Sequence, residues 1–123
     1  MNWKMFRETV IIMIKKKTSR QIVELLKTME QGIKHLDKKL AEGEVRENLY
    51  LFTDLLEAFT TIETLIYKNE EVKEETAELK RAFSLITESY EQENYGQLRS
   101  YFIFGFKKSF EAWFKKVMVV YND

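Results

Sequence analysis

Apolar residues recur at intervals of three and four along most of the chain, which is the spacing of one face of an α-helix. Short polar segments that carry glycine or asparagine, residues typical of turns, separate four such stretches. We therefore predict an all-α fold, an antiparallel up-down four-helix bundle with a short N-terminal amphipathic helical extension. The four predicted helices run from Thr18 or Ser19 to Gly43, from Val45 to Tyr67, from Glu71 to Tyr90, and from Tyr95 or Gln97 to Val120.

The first predicted helix has recognisable ends. Thr18 and Ser19 are of the residue types that accept hydrogen bonds from the first turn of a helix. Gly43 can adopt the left-handed conformation that commonly ends one. The apolar stripe between these ends consists of Ile22, Leu25, Leu26, Met29, Ile33, Leu36 and Leu40.

The first 17 residues form a separate basic segment. Its apolar positions have helical spacing, although the β-branched run at 10–12 would also suit a strand. We favour a short amphipathic helix, because a lone strand leaves its backbone unpaired. The chain is thus divided into a segment, 1–17, and a bundle, 18–123. The helically spaced apolar residues of the segment are Trp3, Phe6, Val10 and Met13.

Charge is distributed unevenly along a chain whose net charge is zero. Residues 1–20 carry a net charge of +5 and residues 69–93 carry −5. We therefore expect the basic segment to dock on its own bundle, which would also cover its apolar residues. The alternative is a detached amphipathic helix whose basic and apolar faces suit an anionic lipid surface.

The fourth predicted helix and Tyr121, which follows it, hold nine of the 17 aromatic residues, and most of these nine lie on one broad apolar arc. Aromatic residues at helical spacing usually pack in a core, so we expect this helix to be central to the bundle. Phe104 is the exception, since it points away from the arc, and an exposed Phe is typical of an interaction surface. The candidate interaction surface comprises Trp3, Phe6, Tyr101, Phe104 and Val119.

Three charged residues fall within or beside apolar stripes, and they are candidate buried charges. Glu63 lies in the stripe of the second helix, Arg99 in the arc of the fourth, and Lys116 at the edge of that arc. An unpaired buried charge is costly, so each must be paired or must extend outward. In an up-down bundle, Glu63 and Lys116 would lie at the same height, and we predict that they pair.

Two glycines, Gly32 and Gly105, lie inside predicted helices, where each costs about 1 kcal/mol relative to alanine. Both lie at the edge of their helix's apolar stripe and at similar heights. We predict a close approach of the first and fourth helices at these glycines. The alternative is that each glycine makes room for a bulky aromatic side chain.

Composition excludes several classes of function. The chain has no cysteine and one histidine, His35, so disulfide scaffolds, thiolate nucleophiles and sites that need two histidines are excluded. The zero net charge argues against binding nucleic acid through bulk charge. The longest apolar run, residues 10–14, is too short for a membrane span or a signal peptide, and we expect a cytoplasmic protein. Lysine outnumbers arginine 15 to 5, a bias typical of low-GC bacteria.

One acidic pattern resembles a known enzyme family. Glu70-Glu71 with Glu74 resembles the Glu-Glu-x-x-Glu motif of all-α nucleotide pyrophosphatases, and Glu88 with Glu91 is similar to their later Glu-x-x-Asp, with Glu in place of Asp. The resemblance implies magnesium-dependent nucleotide hydrolysis. Both halves would lie on one helix, however, whereas that chemistry uses facing helices.

We interpret the chain as a non-enzymatic protein-interaction module, namely an adaptor, a chaperone or a regulatory subunit in a bacterial cytoplasm. Its size and helix count are similar to those of small bacterial export chaperones and adaptor bundles, a likeness of fold alone. The partner is an unknown protein or a second copy of the chain, as in a homodimer, and we expect no cofactor, metal or nucleic acid. The alternatives are the magnesium-dependent hydrolase and a membrane-surface protein that docks through residues 1–17.

Overall fold

The protein is an all-α helical bundle. The structure is a computed structural model that describes residues 3–122; within the first helix it describes the side chains of residues 5, 8, 9 and those from 16 onward. No strand occurs among residues 3–122. The elements are α1 (Trp3–Ala41), a 3-10 turn (Arg46–Asn48), α2 (Leu49–Ile66), a second 3-10 turn (Glu70–Val72), α3 (Lys73–Glu91), α4 (Tyr95–Tyr101), a π-helical turn (Phe102–Phe106) and α5 (Lys107–Tyr121).

The last three elements follow one another without a break, and we call them together the C-terminal helix, residues 95–121. It replaces the predicted fourth helix with nearly the same ends. Asn94 caps it, since its side-chain oxygen accepts a hydrogen bond from the backbone N–H of Gln97 at 3.1 Å.

Helix α1 begins much earlier than expected. The predicted start at Thr18 or Ser19 is wrong, because one helix runs without interruption from Trp3 to Ala41. A residue that can cap a helix starts one only where the preceding backbone leaves the helical conformation. No proline or glycine occurs before Thr18 to enforce such a break.

Two helices end in the same left-handed motif, one with glycine and one without. Gly43 has φ of +84°, and Glu44 N–H donates to Lys39 O at 3.0 Å, which confirms the predicted end of α1. After α3 the left-handed residue is Glu93, with φ of +53°, and Asn94 N–H donates to Ser89 O at 2.9 Å. No glycine marks this second end, yet the predicted end of the third helix at Tyr90 lies within one residue of the observed end at Glu91.

The core is built around aromatic rings from three helices. Phe83 of α3 lies between Phe59 of α2, at 5.0 Å, and Phe106 of the C-terminal helix, at 4.8 Å between ring centroids. Trp113 is completely buried, and its indole N–H donates to the Thr76 hydroxyl at 3.1 Å. The C-terminal helix is therefore central to the core, as its aromatic content predicted.

Neighbouring helices pair unequally. Helix α1 packs on α2 and on α5, and α3 packs on the C-terminal helix, whereas α2 and α3 touch much less. Phe52 of α2 contacts Tyr90 of α3, and the later Phe59 contacts the earlier Phe83, so these two helices are antiparallel. The up-down order of all the helices stays a prediction.

The predicted meeting of Gly32 and Gly105 does not occur. A Cβ added to Gly32 would lie 2.9 Å from Cδ2 of Leu55, so this glycine makes room for α2 rather than for the C-terminal helix. A Cβ added to Gly105 would meet nothing within 4 Å. Gly105 lies in the π-helical turn, where positions extrapolated from a regular α-helix are displaced.

Candidate functional site

The most unusual local structure is the π-helical turn of the C-terminal helix, where Lys107 N–H donates to the carbonyl of Phe102, five residues earlier. Such a turn accommodates one more residue than an α-helical turn and is frequent at functional sites. The rings of Phe102 and Phe106 stay buried and stacked, with centroids 5.3 Å apart and planes at 16°. The π-helical turn therefore leaves the buried face of the helix intact, and it changes which side chains face the solvent.

Ile103 and Phe104 are the residues turned outward. Phe104 is 74% exposed, as the sequence predicted, and Ile103 is 47% exposed. Sequence reasoning missed Ile103, because a regular helix places it inside the apolar arc of this helix. The π-helical turn rotates it away from the core, and no sequence periodicity reports that rotation.

A groove between α1 and α5 has Ile103, though not Phe104, in its lining, and we call it the α1–α5 groove. It has a volume of about 480 Å³. Across it, Lys107 Nζ lies 2.8 Å from Asp37 Oδ2, which ties the two helices together. The groove has an apolar floor and charges of both signs on its rims, and its lining residues include Ile33, Ile103, Phe110, Lys34, Lys108 and Glu111.

A second groove, the α2–α3 groove, follows from the loose contact between those helices, and its volume is about 540 Å³. Glu63 and Lys80 face each other across it, with 3.1 Å between Oε2 and Nζ. Glu88 and Glu91 line its far end, so three of its four charged lining residues are acidic.

The predicted candidate buried charges behave differently from one another. Glu63 is partly buried, with 26% of its side chain exposed, but its partner is Lys80 rather than Lys116, so the predicted Glu63–Lys116 pair is wrong. Lys116 and Arg99 are both exposed, so these two candidates are not buried charges and follow the second expected course, extension outward. Long basic side chains can start within an apolar arc and still place their charged ends in solvent. The helical spacing of the residues shows only where each side chain starts.

Among the described residues of the predicted interaction surface, Tyr101 is turned partly inward and Val119 lies far from Phe104. Tyr101 is half-buried, and its hydroxyl accepts a hydrogen bond from Gln97 Nε2 at 2.8 Å. Val119 is 79% exposed, but it lies 15 residues further along the helix, about 22 Å away at 1.5 Å per residue. The side chains of Trp3 and Phe6 lie outside the described residues, and so does the predicted docking of residues 1–17 on the bundle.

The acids that resemble the pyrophosphatase motif are widely separated. Glu70 and Glu71 belong to the 3-10 turn before α3, whereas Glu88 and Glu91 lie at the other end of that helix, about 25 Å away. Among the described side chains, no group of three or more His, Asp or Glu residues is placed to hold a metal ion. His35 is exposed on α1. The hydrolase hypothesis stays a prediction.

One titratable group is strongly perturbed. Burial raises the pKa of Tyr90 to about 12, and the nearby Tyr95 and Glu47 raise it further. The neutral hydroxyl donates a hydrogen bond to the backbone carbonyl of Val45 at 3.0 Å. This contact ties the end of α3 to the connection between α1 and α2. The raised pKa of Tyr90 thus comes from the burial of a tyrosine that joins two parts of the fold.

These features define a helical bundle with two open grooves and an outward-facing pair of apolar residues on a π-helical turn. The chain belongs to the family described as a domain of unknown function (DUF8042), whose sequence model matches residues 17–116. No curated protein and no solved structure matches the chain. Of the helices within residues 3–122, none has both the length and the apolar character needed to cross a membrane.

Proposed function

We propose that this protein is a non-enzymatic protein-interaction module, an adaptor, chaperone or regulatory subunit of a bacterial cytoplasm, and that it holds its partner through the π-helical turn. The observation that supports this most is Phe104, whose ring is 74% exposed in an ordered helix next to the half-exposed Ile103. Covering a Phe side chain is worth about 1.5–3 kcal/mol, and aromatic residues are frequent hot spots of interfaces.

The α1–α5 groove beside the turn supplies the polar part of such an interface. Its apolar floor, with Ile33 and Phe110, is surrounded by Lys34, Lys108 and Glu111. A central apolar anchor with a charged rim is the usual anatomy of a protein–protein contact. The partner expected here is a protein segment that inserts an apolar side chain between the helices and pairs with charges of both signs.

The test compares two matched substitutions at exposed aromatic residues. Phe104→Asp should abolish co-purification of the partner from the native host, while Tyr50→Asp, at an 83% exposed residue of α2, should leave it intact. Both variants should unfold near the wild-type temperature, because neither side chain contributes to the core. Recovery of the same partner by Phe104→Asp as by the wild type would contradict the proposal.

A further inference from the structure

Helix α1 is longer than the bundle it belongs to. Its contacts with α2 place Gly32 beside Leu55 and Leu51, so the end of α2 at Ile66 lies level with residue 19 or so of α1. With α5 antiparallel to α1, as the predicted up-down order has it, the pair of Asp37 with Lys107 places the end of α5 close to the level of Val23. The first described α1 side chain that is buried is Ile22. Residues 3–17 therefore project past the end of the bundle by about 22 Å.

The projecting segment is basic, and the acidic part of the bundle lies on other helices. Residues 1–20 carry a net charge of +5, and residues 69–93, which include α3, carry −5. Because α1 is one uninterrupted helix, its backbone at residues 3–17 continues in line beyond the end of the bundle. In this arrangement the basic segment is placed to meet acidic residues of a second molecule.

The α2–α3 groove has the length to receive this segment, and Glu88 and Glu91, two of the eight acids of residues 69–93, make its far end acidic. Below the Glu63–Lys80 pair the groove continues along Tyr67, Lys73 and Thr76 to the end of the bundle from which α1 projects. From Lys73 to Glu88 is 15 residues of α3, again about 22 Å. A projecting helix that entered at this end would bring its own beginning, with Lys4 and Arg7, to the level of Glu88 and Glu91.

We propose that the protein forms a symmetric dimer in which residues 3–17 of each copy lie in the α2–α3 groove of the other. Two copies that face each other at the end from which α1 projects satisfy this geometry twice, as an isologous contact requires. Pairing of the two projecting helices with each other is disfavoured, because each carries the same positive charge. The proposal goes beyond the proposed function, since it requires neither Phe104 nor a foreign partner.

A charge swap tests the dimer in the full-length protein by sedimentation velocity. Lys4→Glu/Arg7→Glu makes the segment acidic, and Glu88→Lys/Glu91→Lys makes the far end of the groove basic. Each variant alone should dimerise at least about tenfold more weakly than the wild type, because like charges then face each other in both interfaces. An equimolar mixture should recover the wild-type dimer mass, because both interfaces of the mixed dimer are again complementary.

The matched control changes two other exposed acids, Glu24→Lys/Glu57→Lys, which do not line the groove and should leave the dimer unchanged. Glu88 and Glu91 are exposed, so their substitution should not alter the unfolding temperature. Phe104→Asp should keep the dimer, which separates failure of this inference from failure of the proposed function.

Three results would overturn the inference. The first is a wild-type protein that stays monomeric at micromolar concentration and low salt. The second is a mixture of the two swapped variants that stays monomeric while the wild type dimerises. The third is a monomeric wild type that binds vesicles containing phosphatidylserine and loses this binding in Lys4→Glu/Arg7→Glu, which would assign the basic segment to a lipid surface.

Discussion

At the scale of single residues, the two interior glycines show how differently one residue type is used. A Cβ on Gly32 would meet Leu55, a buried side chain of α2, at 2.9 Å, while a Cβ on Gly105 would meet nothing within 4 Å. The helix propensity lost at each glycine is the same, about 1 kcal/mol relative to alanine. Packing offsets that loss only at Gly32, where the missing side chain allows α2 to approach.

Alanine substitutions at these positions should therefore have opposite effects. Gly105→Ala should raise the free energy of unfolding by about 0.5–1 kcal/mol, since it adds helix propensity without a clash. Gly32→Ala should lower it by about 1 kcal/mol, because displacing the packed Leu55 side chain outweighs the same gain. Urea unfolding followed by circular dichroism measures both changes. Stabilisation by both substitutions would show that Leu55 repacks freely.

At the scale of helices, the loose contact between α2 and α3 determines where charges pair. Glu63 occupies an apolar stripe of α2, and it remains there because the α2–α3 groove lets Lys80 reach its carboxylate while both side chains keep contact with water. In a tight helix pair the same glutamate would need full desolvation. The α2–α3 groove thus explains why Glu63 is tolerated in an apolar stripe, and why it pairs with Lys80 instead of the predicted Lys116.

A double-mutant cycle should find a small coupling energy between Glu63 and Lys80. We expect about 0.2–1 kcal/mol, because 63% of the Lys80 side chain is exposed and water screens the pair. The substitutions are Glu63→Gln and Lys80→Met, alone and together, measured by urea unfolding. The same cycle with Lys116→Met in place of Lys80→Met should give no coupling, and a larger value there would contradict the observed pairing.

At the scale of the whole molecule, the Tyr90 hydroxyl links α3 to the connection between α1 and α2 through the carbonyl of Val45. Burial is the main reason that its pKa rises from 10.0 to about 12. The folded protein therefore retains the phenolic proton over a pH range in which the unfolded chain releases it. This stabilisation is complete below pH 10 and is lost as the pH rises toward 12.

The free energy of unfolding should consequently fall between pH 10 and pH 12 more steeply for the wild type than for Tyr90→Phe. The variant should also be less stable at pH 7, by about 1 kcal/mol, because it loses the hydrogen bond to Val45. Urea unfolding at pH 7, 10, 11 and 12 compares the two proteins, with Tyr50→Phe as the control for an exposed tyrosine. Identical slopes for the wild type and Tyr90→Phe would contradict the role of Tyr90.

The residues that form the core could be predicted because burial follows periodicity. The apolar stripe of α1 from Ile22 to Leu40 is buried as expected, except that Leu25 is only partly buried. The aromatic arc with Phe102, Phe106 and Trp113 is buried too, and Phe104, which points away from it, is exposed. The candidate site could be predicted only in part, through Phe104. Ile103 escaped prediction, because its exposure depends on a π-helical turn that interrupts the regular spacing of the helix.

The residues along the chain were enough to predict the all-α class, the apolar faces, the end of α1 before Gly43 and the central place of the C-terminal helix. Each of these depends on the local spacing of residues or on the conformational preference of one residue, and a single helix already expresses both. The partner of Glu63, the neighbour of Gly32, the exposure of Ile103 and the α1–α5 and α2–α3 grooves could not be predicted in this way. These depend on which helices touch and how closely, and that is set by the packing of many side chains at once.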